Sequence, residues 1–352
     1  MSVVAISAPC VPPVPRHGGN LGEAILRFGR PREDWLDLST GINPNGYPVP
    51  TPPASIWRDL PDVVDDLRDV AARYYGAPAQ AVVPCAGSQA VIRALPALLP
   101  PGRVAVASLT YSEYAPAFAQ AGHTLVPWLG PEAGLPDVDT LVWVNPDNPT
   151  ARCVSHETLS RWQCSLAERG GVLIVDEAFA DVSPQASMAP HAGEDGLVVL
   201  RSVGKFFGLA GIRAGFALCA EGLATRLAER LGPWTVSGPA GFAVQTALRD
   251  TAWQAATRER LLRDGERLRT LLQTYGWPAQ GTPLFAWTPH AMAPRWHEQL
   301  AARGIWTRLF DAHPVTLANG GTQVLPSLRL GLPSTEHEWQ RLRSALAGSP
   351  PE

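Results

Sequence analysis

Three runs, Leu141-Val142-Trp143-Val144, Val172-Leu173-Ile174-Val175 and Leu197-Val198-Val199-Leu200, are apolar at every position. A strand with one face in water alternates polar and apolar side chains, so a strand that is apolar throughout is covered on both faces. Shorter apolar stretches at 104–107, 123–128 and 215–219 extend the series, and helical spacing fills the gaps at 90–99, 115–121 and 156–168. Buried strands alternating with helices make an α/β chain with a mostly parallel sheet, here predicted to have seven strands. In such sheets ligands sit outside the carboxyl ends of the strands. Polar residues follow each run: Asn145-Pro146-Asp147-Asn148-Pro149-Thr150, then Asp176-Glu177, then Arg201-Ser202.

With 352 residues, the chain exceeds the usual single core, and 45% apolar with 17% charged residues leaves ample material for a large and a smaller unit. The expected division is an arm over 1–46, a large domain over 47–240, and a linking helix with a small α/β domain over 241–352. A helix is expected over 62–75. In the last part, helical spacing runs over 241–275 with a break near Asp250, and strands are expected at 284–287, 305–310 and 327–330. A net charge of −3 without a basic stripe argues against nucleic acid or an anionic membrane as partner. The five cysteines (Cys10, Cys85, Cys153, Cys164 and Cys219) are scattered and lack metal spacing, which fits reduced thiols and a cytoplasmic location. No apolar run approaches the length of a membrane span.

The third apolar run leads into Arg201-Ser-Val-Gly-Lys-Phe-Phe-Gly-Leu-Ala-Gly-Ile-Arg213. Three glycines allow close approach of backbone to a ligand. Ser202 and the Arg213 guanidinium suit a phosphate, and the Lys205 amine suits a Schiff base with an aldehyde. Gly87-Ser88-Gln89, ahead of a helix, offers free N–H groups to an anion. Asp176 at a strand end suits a carboxylate that keeps a pyridine nitrogen protonated. Asn148 is placed to bond a phenolate oxygen, and Tyr111 to stack on a ring. Singly, each of these also reads as a turn, cap or core residue. Together, each at a strand end, they point to pyridoxal 5'-phosphate, with no metal.

The order Asn-Pro-Asp-Asn-Pro-Thr, Asp-Glu-Ala-Phe, Ser-Val-Gly-Lys-Phe-Phe-Gly-Leu-Ala-Gly-Ile-Arg resembles the fold type I, aspartate-aminotransferase-like enzymes of the class I/II aminotransferases, over roughly residues 35–335. That resemblance implies a Schiff base at Lys205, a pyridine partner in Asp176 and a phenolate partner in Asn148. It implies phosphate contacts from Ser202 and Arg213, stacking by Tyr111, and a substrate carboxylate site at Arg329 in Leu328-Arg-Leu-Gly331. A homodimer with the site at the interface is also implied. Within the family, Arg16-His17-Gly-Gly-Asn20 and Asp37-Leu-Ser-Thr-Gly-Ile-Asn-Pro-Asn-Gly46 resemble the threonine-phosphate decarboxylases of cobalamin biosynthesis. There the arm covers the substrate phosphate, which implies roles for His17 and Asn43, with Arg16 and Arg152 as helpers. The histidinol-phosphate aminotransferases are the alternative. Decarboxylation and transamination draw on the same residues and differ in which bond at the α-carbon stands perpendicular to the ring.

Three positions depart from the family pattern. Ala151 stands where a glycine usually ends Asn-Pro-Thr-Gly. Phe179 replaces a tyrosine that bonds the phenolate oxygen, and Leu60-Pro61 replaces a tyrosine that reaches the partner's cofactor phosphate.

Overall fold

The computed structural model describes residues 17–61, 64–316 and 321–348. Arg16 and Cys10 lie outside them. Among the described residues there are thirteen strands: β1 Leu36–Asp37, β2 Val82–Cys85, β3 Arg103–Ala107, β4 Thr124–Trp128, β5 Thr140–Val144, β6 Val172–Asp176, β7 Leu197–Ser202, β8 Gly215–Cys219, β9 Gln280–Thr282, β10 Phe285–Pro289, β11 Ile305–Trp306, β12 Arg308–Thr316 and β13 Thr322–Gly331.

Seven of them form one sheet in the order β2-β8-β7-β6-β5-β3-β4. The four inner pairings from β7 to β4 are parallel, and only β8 runs against its neighbours. The apolar strands β5 and β7 are buried along nearly their full length, as both-face cover requires. Their layers separate into two apolar clusters, one on each side of the sheet. Register places Val144 opposite Asp176 and Asp176 opposite Leu200, so the strand ends stand level.

Helix boundaries follow local chemistry. The helix ahead of β2 is described from Val64 to Tyr75, with Leu67, Val70 and Ala71 on its buried side. The helix expected over 90–99 begins earlier, at Ser88, and gives way at Leu95 to a 3-10 turn holding Pro96, which cannot continue an α-helical ladder. The long C-terminal pattern is two helices, Gly238–Arg249 and Thr251–Thr274. They part at Asp250, whose carboxylate caps the second by accepting from the Trp253 N–H at 2.9 Å.

The second helix, about 36 Å long at 1.5 Å per residue, leads to a four-stranded antiparallel sheet in the order β12-β13-β10-β9. Strand β9 escaped the sequence pattern because it is three residues long and contains Gly281. The N-terminal stretch is stitched to this part by β1, which pairs in parallel with β11, Leu36 opposite Ile305. Among the described residues no helix is long and apolar enough to cross a membrane.

Candidate active site

Chain direction brings the carboxyl ends of β2, β3, β5, β6 and β7 and the start of β8 to one edge of the large sheet. Lys205 follows β7 by three residues. Its carbonyl accepts from the N–H groups of Asn43 at 3.0 Å and Gly208 at 3.1 Å, which fixes the loop. Its ammonium position lies 5.6 Å from the centre of the Phe179 ring. Burial, then the Arg329 and Arg213 charges, push the amine down to about 8, while Asp176 pulls the other way.

Asp176 ends β6 and is 3% exposed. Its carboxylate accepts from the Tyr114 hydroxyl at 2.7 Å and from the Ala178 N–H at 3.0 Å. Burial pushes it above the usual carboxylate range, against those two bonds and Lys205. A carboxylate this dry gains most from a protonated nitrogen placed beside it.

A cradle lies beside them. Gly87 has φ of 79°, and a Cβ there would come within 2.8 Å of the Arg213 guanidinium. Gly215 pairs with Ser202, and a Cβ on it would come within 2.8 Å of the Ser88 nitrogen. The two glycines thus let the Arg213 guanidinium and the Ser88 backbone pack close to Ser202, next to the first-turn N–H groups of Ser88 and Gln89. This donor set suits a phosphate dianion. With Lys205 and Asp176 it matches the ends of pyridoxal phosphate.

In front lies a cavity of about 750 Å³ lined by His17, Tyr111, Asn148, Lys205, Arg308 and Arg329, among others. Arg329 is 6% exposed; one Nη donates to the Asn148 side-chain oxygen and the other to the Ser39 carbonyl at 2.6 Å. Its Nε is buried and has no partner among the described residues. Burial, then Arg308, push Arg329 down to about 10. Arg308 stands directly opposite it across the β12–β13 ladder. Tyr111 donates to the Gln89 side-chain oxygen at 3.0 Å, and His17 pairs with Glu113 at 2.9 Å.

Two expected substrate residues lie elsewhere. Asn43 is 2% exposed and does not line the cavity. Its amide donates to the Phe206 carbonyl at 2.8 Å, and its oxygen accepts from the Asn45 N–H and from Arg260, both at 3.0 Å. Asn43 thus anchors the lysine loop rather than facing a ligand. Arg152 bonds Thr150 and Glu132. The Ser202 hydroxyl accepts from the Gly204 N–H at 3.2 Å. At the departures, Phe179 packs edge-on against Phe285 at 5.1 Å, leaving apolar ring where a phenol oxygen would stand. Ala151 takes φ of 60°, the left-handed region.

Several residues behind the site gave no sequence signal. Arg201 is 1% exposed and pairs with Glu177 and with Asp181, the latter at 2.8 Å. Asp147 accepts from the hydroxyls of Thr110 and Thr150, tying the Tyr111 loop to the Asn148 loop. Arg308 and Glu113 looked like ordinary charges until the folded chain set them beside Arg329 and His17.

A family model described as "Aminotransferase class I and II" matches residues 60–346. The threonine-phosphate decarboxylase of Pseudomonas aeruginosa is 48% identical over 336 residues, covering 94% of this chain and 97% of its own. The Sinorhizobium sp. protein of the same name is 40% identical over 90% and 94% of the two chains. The solved structure of histidinol-phosphate aminotransferase from Sinorhizobium meliloti in complex with pyridoxal-5'-phosphate superposes with a TM-score of 0.76 at 18% identity, over 99% and 98% of the chains. The architecture is thus the aspartate-aminotransferase-like fold expected from the motifs, and the chain belongs to the aminotransferase class I and II family.

Proposed function

We propose that this chain is a pyridoxal-phosphate-dependent decarboxylase of L-threonine O-3-phosphate that yields (R)-1-amino-2-propanol O-2-phosphate and CO₂, in cobalamin biosynthesis. The observation that carries the reading is the charge layout of the cavity. The cavity lining brings together an amine, Lys205, two arginines, Arg308 and Arg329, and His17, which suits a substrate with a carboxylate and a phosphate. The near full-length similarity to the Pseudomonas protein supports it.

Bound pyridoxal phosphate supplies an aldehyde for the substrate amine and a ring that accepts the electron pair released at the α-carbon. Ser88, Gln89, Ser202 and Arg213 hold its phosphate. Asp176 holds the proton on the ring nitrogen, and the Tyr114 hydroxyl orients Asp176. Tyr111 would cover one ring face, Asn148 would contact the phenolate oxygen, and Phe179 would leave that oxygen one donor short. Arg329, fixed by Asn148 and Ser39, would hold the substrate carboxylate and so set the direction of its bond to the α-carbon. CO₂ would leave as a neutral molecule, with the electron pair of the broken bond staying behind at the α-carbon. Lys205, with its amine lowered to about 8, is neutral often enough at neutral pH to take up and return a proton, and it delivers one to the α-carbon.

Transamination of histidinol phosphate or a similar phosphorylated amine is the second reading, since the same residues serve it. Purified protein with pyridoxal phosphate and L-threonine O-3-phosphate is expected to release CO₂ without any keto acid. Glutamate formed from 2-oxoglutarate and histidinol phosphate, without CO₂, would establish the aminotransferase instead.

The reading includes a homodimer. Exposed Trp234 lines an apolar groove of about 330 Å³ with Pro61, Leu67, Val83 and Leu231, and Trp57 and Leu60 are exposed as well, a surface suited to a second copy. Sedimentation at micromolar concentration tests it. The reading also includes a cytoplasmic location, which rests on the odd number and scattered spacing of the five cysteines.

A further inference from the structure

Glu113 is 6% exposed, yet no step above uses it. It lies two residues beyond Tyr111, at the start of the helix Tyr114–Gln120. Both carboxylate oxygens are engaged. Oε1 meets the His17 Nε2 at 2.9 Å. Oε2 accepts from the Gln89 side-chain amide at 2.6 Å and has the Arg93 guanidinium at 3.7 Å. The other end of the Gln89 amide accepts from the Tyr111 hydroxyl at 3.0 Å. The His17 and Tyr111 rings stand 6.1 Å apart and line the same cavity. Immediately after His17 the chain is pinned to the Ser39 turn. The Gly19 N–H donates to the Ser39 hydroxyl at 2.7 Å, and the Ser39 carbonyl holds Arg329.

We propose that Glu113 is a positioning residue that sets two walls of the cavity at once. It aims the His17 ring into the cavity from the N-terminal stretch, and through Gln89 it fixes the Tyr111 hydroxyl and therefore the ring. A buried carboxylate is suited to this, because it accepts two hydrogen bonds in different directions and cannot rotate without stranding charge. An amide in its place accepts on one side only. Its NH₂ group cannot pair with the Gln89 NH₂, nor with a His17 Nε2 that carries its hydrogen, so both links survive only if His17 turns to accept.

The kinetic arm of this inference rests on the decarboxylase reading; the spectroscopic arm does not. Cofactor-loaded wild type, Glu113→Gln, His17→Ala and the double variant would be compared. Glu113→Gln is expected to raise KM for L-threonine O-3-phosphate roughly tenfold, in line with the loss of a charged hydrogen bond, with kcat changed far less. Adding it to His17→Ala should raise KM little further, because both remove one coupling. Visible circular dichroism of the bound cofactor, recorded without substrate, should change in Glu113→Gln, through Tyr111, but not in His17→Ala. Additive effects on KM together with an unchanged dichroism band would overturn the assignment. If wild type itself turns over nothing, the dichroism pattern still decides the role of Glu113, while the substrate reading falls separately.

Discussion

Replacing Asp147 by Asn should flatten the pH dependence of stability in the acid range. The carboxyl is fully buried, and burial pushes it from 3.8 up to about 6, against the bonds from Thr110 and Thr150 and the charge of Arg152. In the unfolded chain the group returns to its ordinary value. Between those two values the folded protein keeps a proton that the unfolded chain has lost. The stability it contributes is full below about pH 4 and is lost as pH rises to about 6. At about 1.36 kcal/mol per pH unit, a gap of about two units amounts to about 3 kcal/mol. Asparagine cannot ionise, and the two threonine hydroxyls can turn to give or accept at its amide. Urea midpoints of both proteins, measured in steps from about pH 4 to pH 7, read the effect. Wild type should lose about 3 kcal/mol relative to Asp147→Asn across that range. Parallel curves would refute the buried-carboxyl argument, whatever the offset between them.

Three further outcomes are expected. Arg201→Met strands Glu177 and Asp181 in the core and should cost about 3–5 kcal/mol, read as a fall in melting temperature of roughly 2 °C per kcal/mol. Asp176→Asn should keep the fold and the cofactor but lower kcat by about 100-fold or more, since an amide cannot hold the ring proton; an unchanged kcat would remove Asp176 from the mechanism. Ala151→Gly should stabilise the protein by about 1 kcal/mol by relieving a left-handed alanine, checked by the same urea titration; a loss of stability would mean that the turn tolerates the methyl group.

The parts of the fold that were legible were those written in local pattern. Continuous apolar runs gave β5, β6 and β7, and the polar residues after them gave Asn148, Asp176, Ser202 and Lys205 at one edge. The break at Asp250 was legible because a capping aspartate interrupts a helical period. What stayed hidden was everything set by pairing between distant residues. Arg308 and Arg329 are 21 positions apart and meet only through strand register. Glu113 gains meaning from His17, 96 residues away. Asn43 read as a ligand contact from its motif, but its amide serves the Phe206 carbonyl, a partner that no local pattern announces.

The two arginines facing each other across β12 and β13 also bear on how tightly the protein is held together. Like charges directly opposite on neighbouring strands cost about 0.2–1 kcal/mol, and here one of them is nearly dry. An anion bound at this wall would offset that repulsion, which would make occupancy and stability one linked equilibrium. A ligand at about 100 times its dissociation constant adds about 2.7 kcal/mol to the folded state. If the substrate carboxylate sits at this wall, replacing either arginine should shift ligand affinity and ligand-free stability together, in opposite directions.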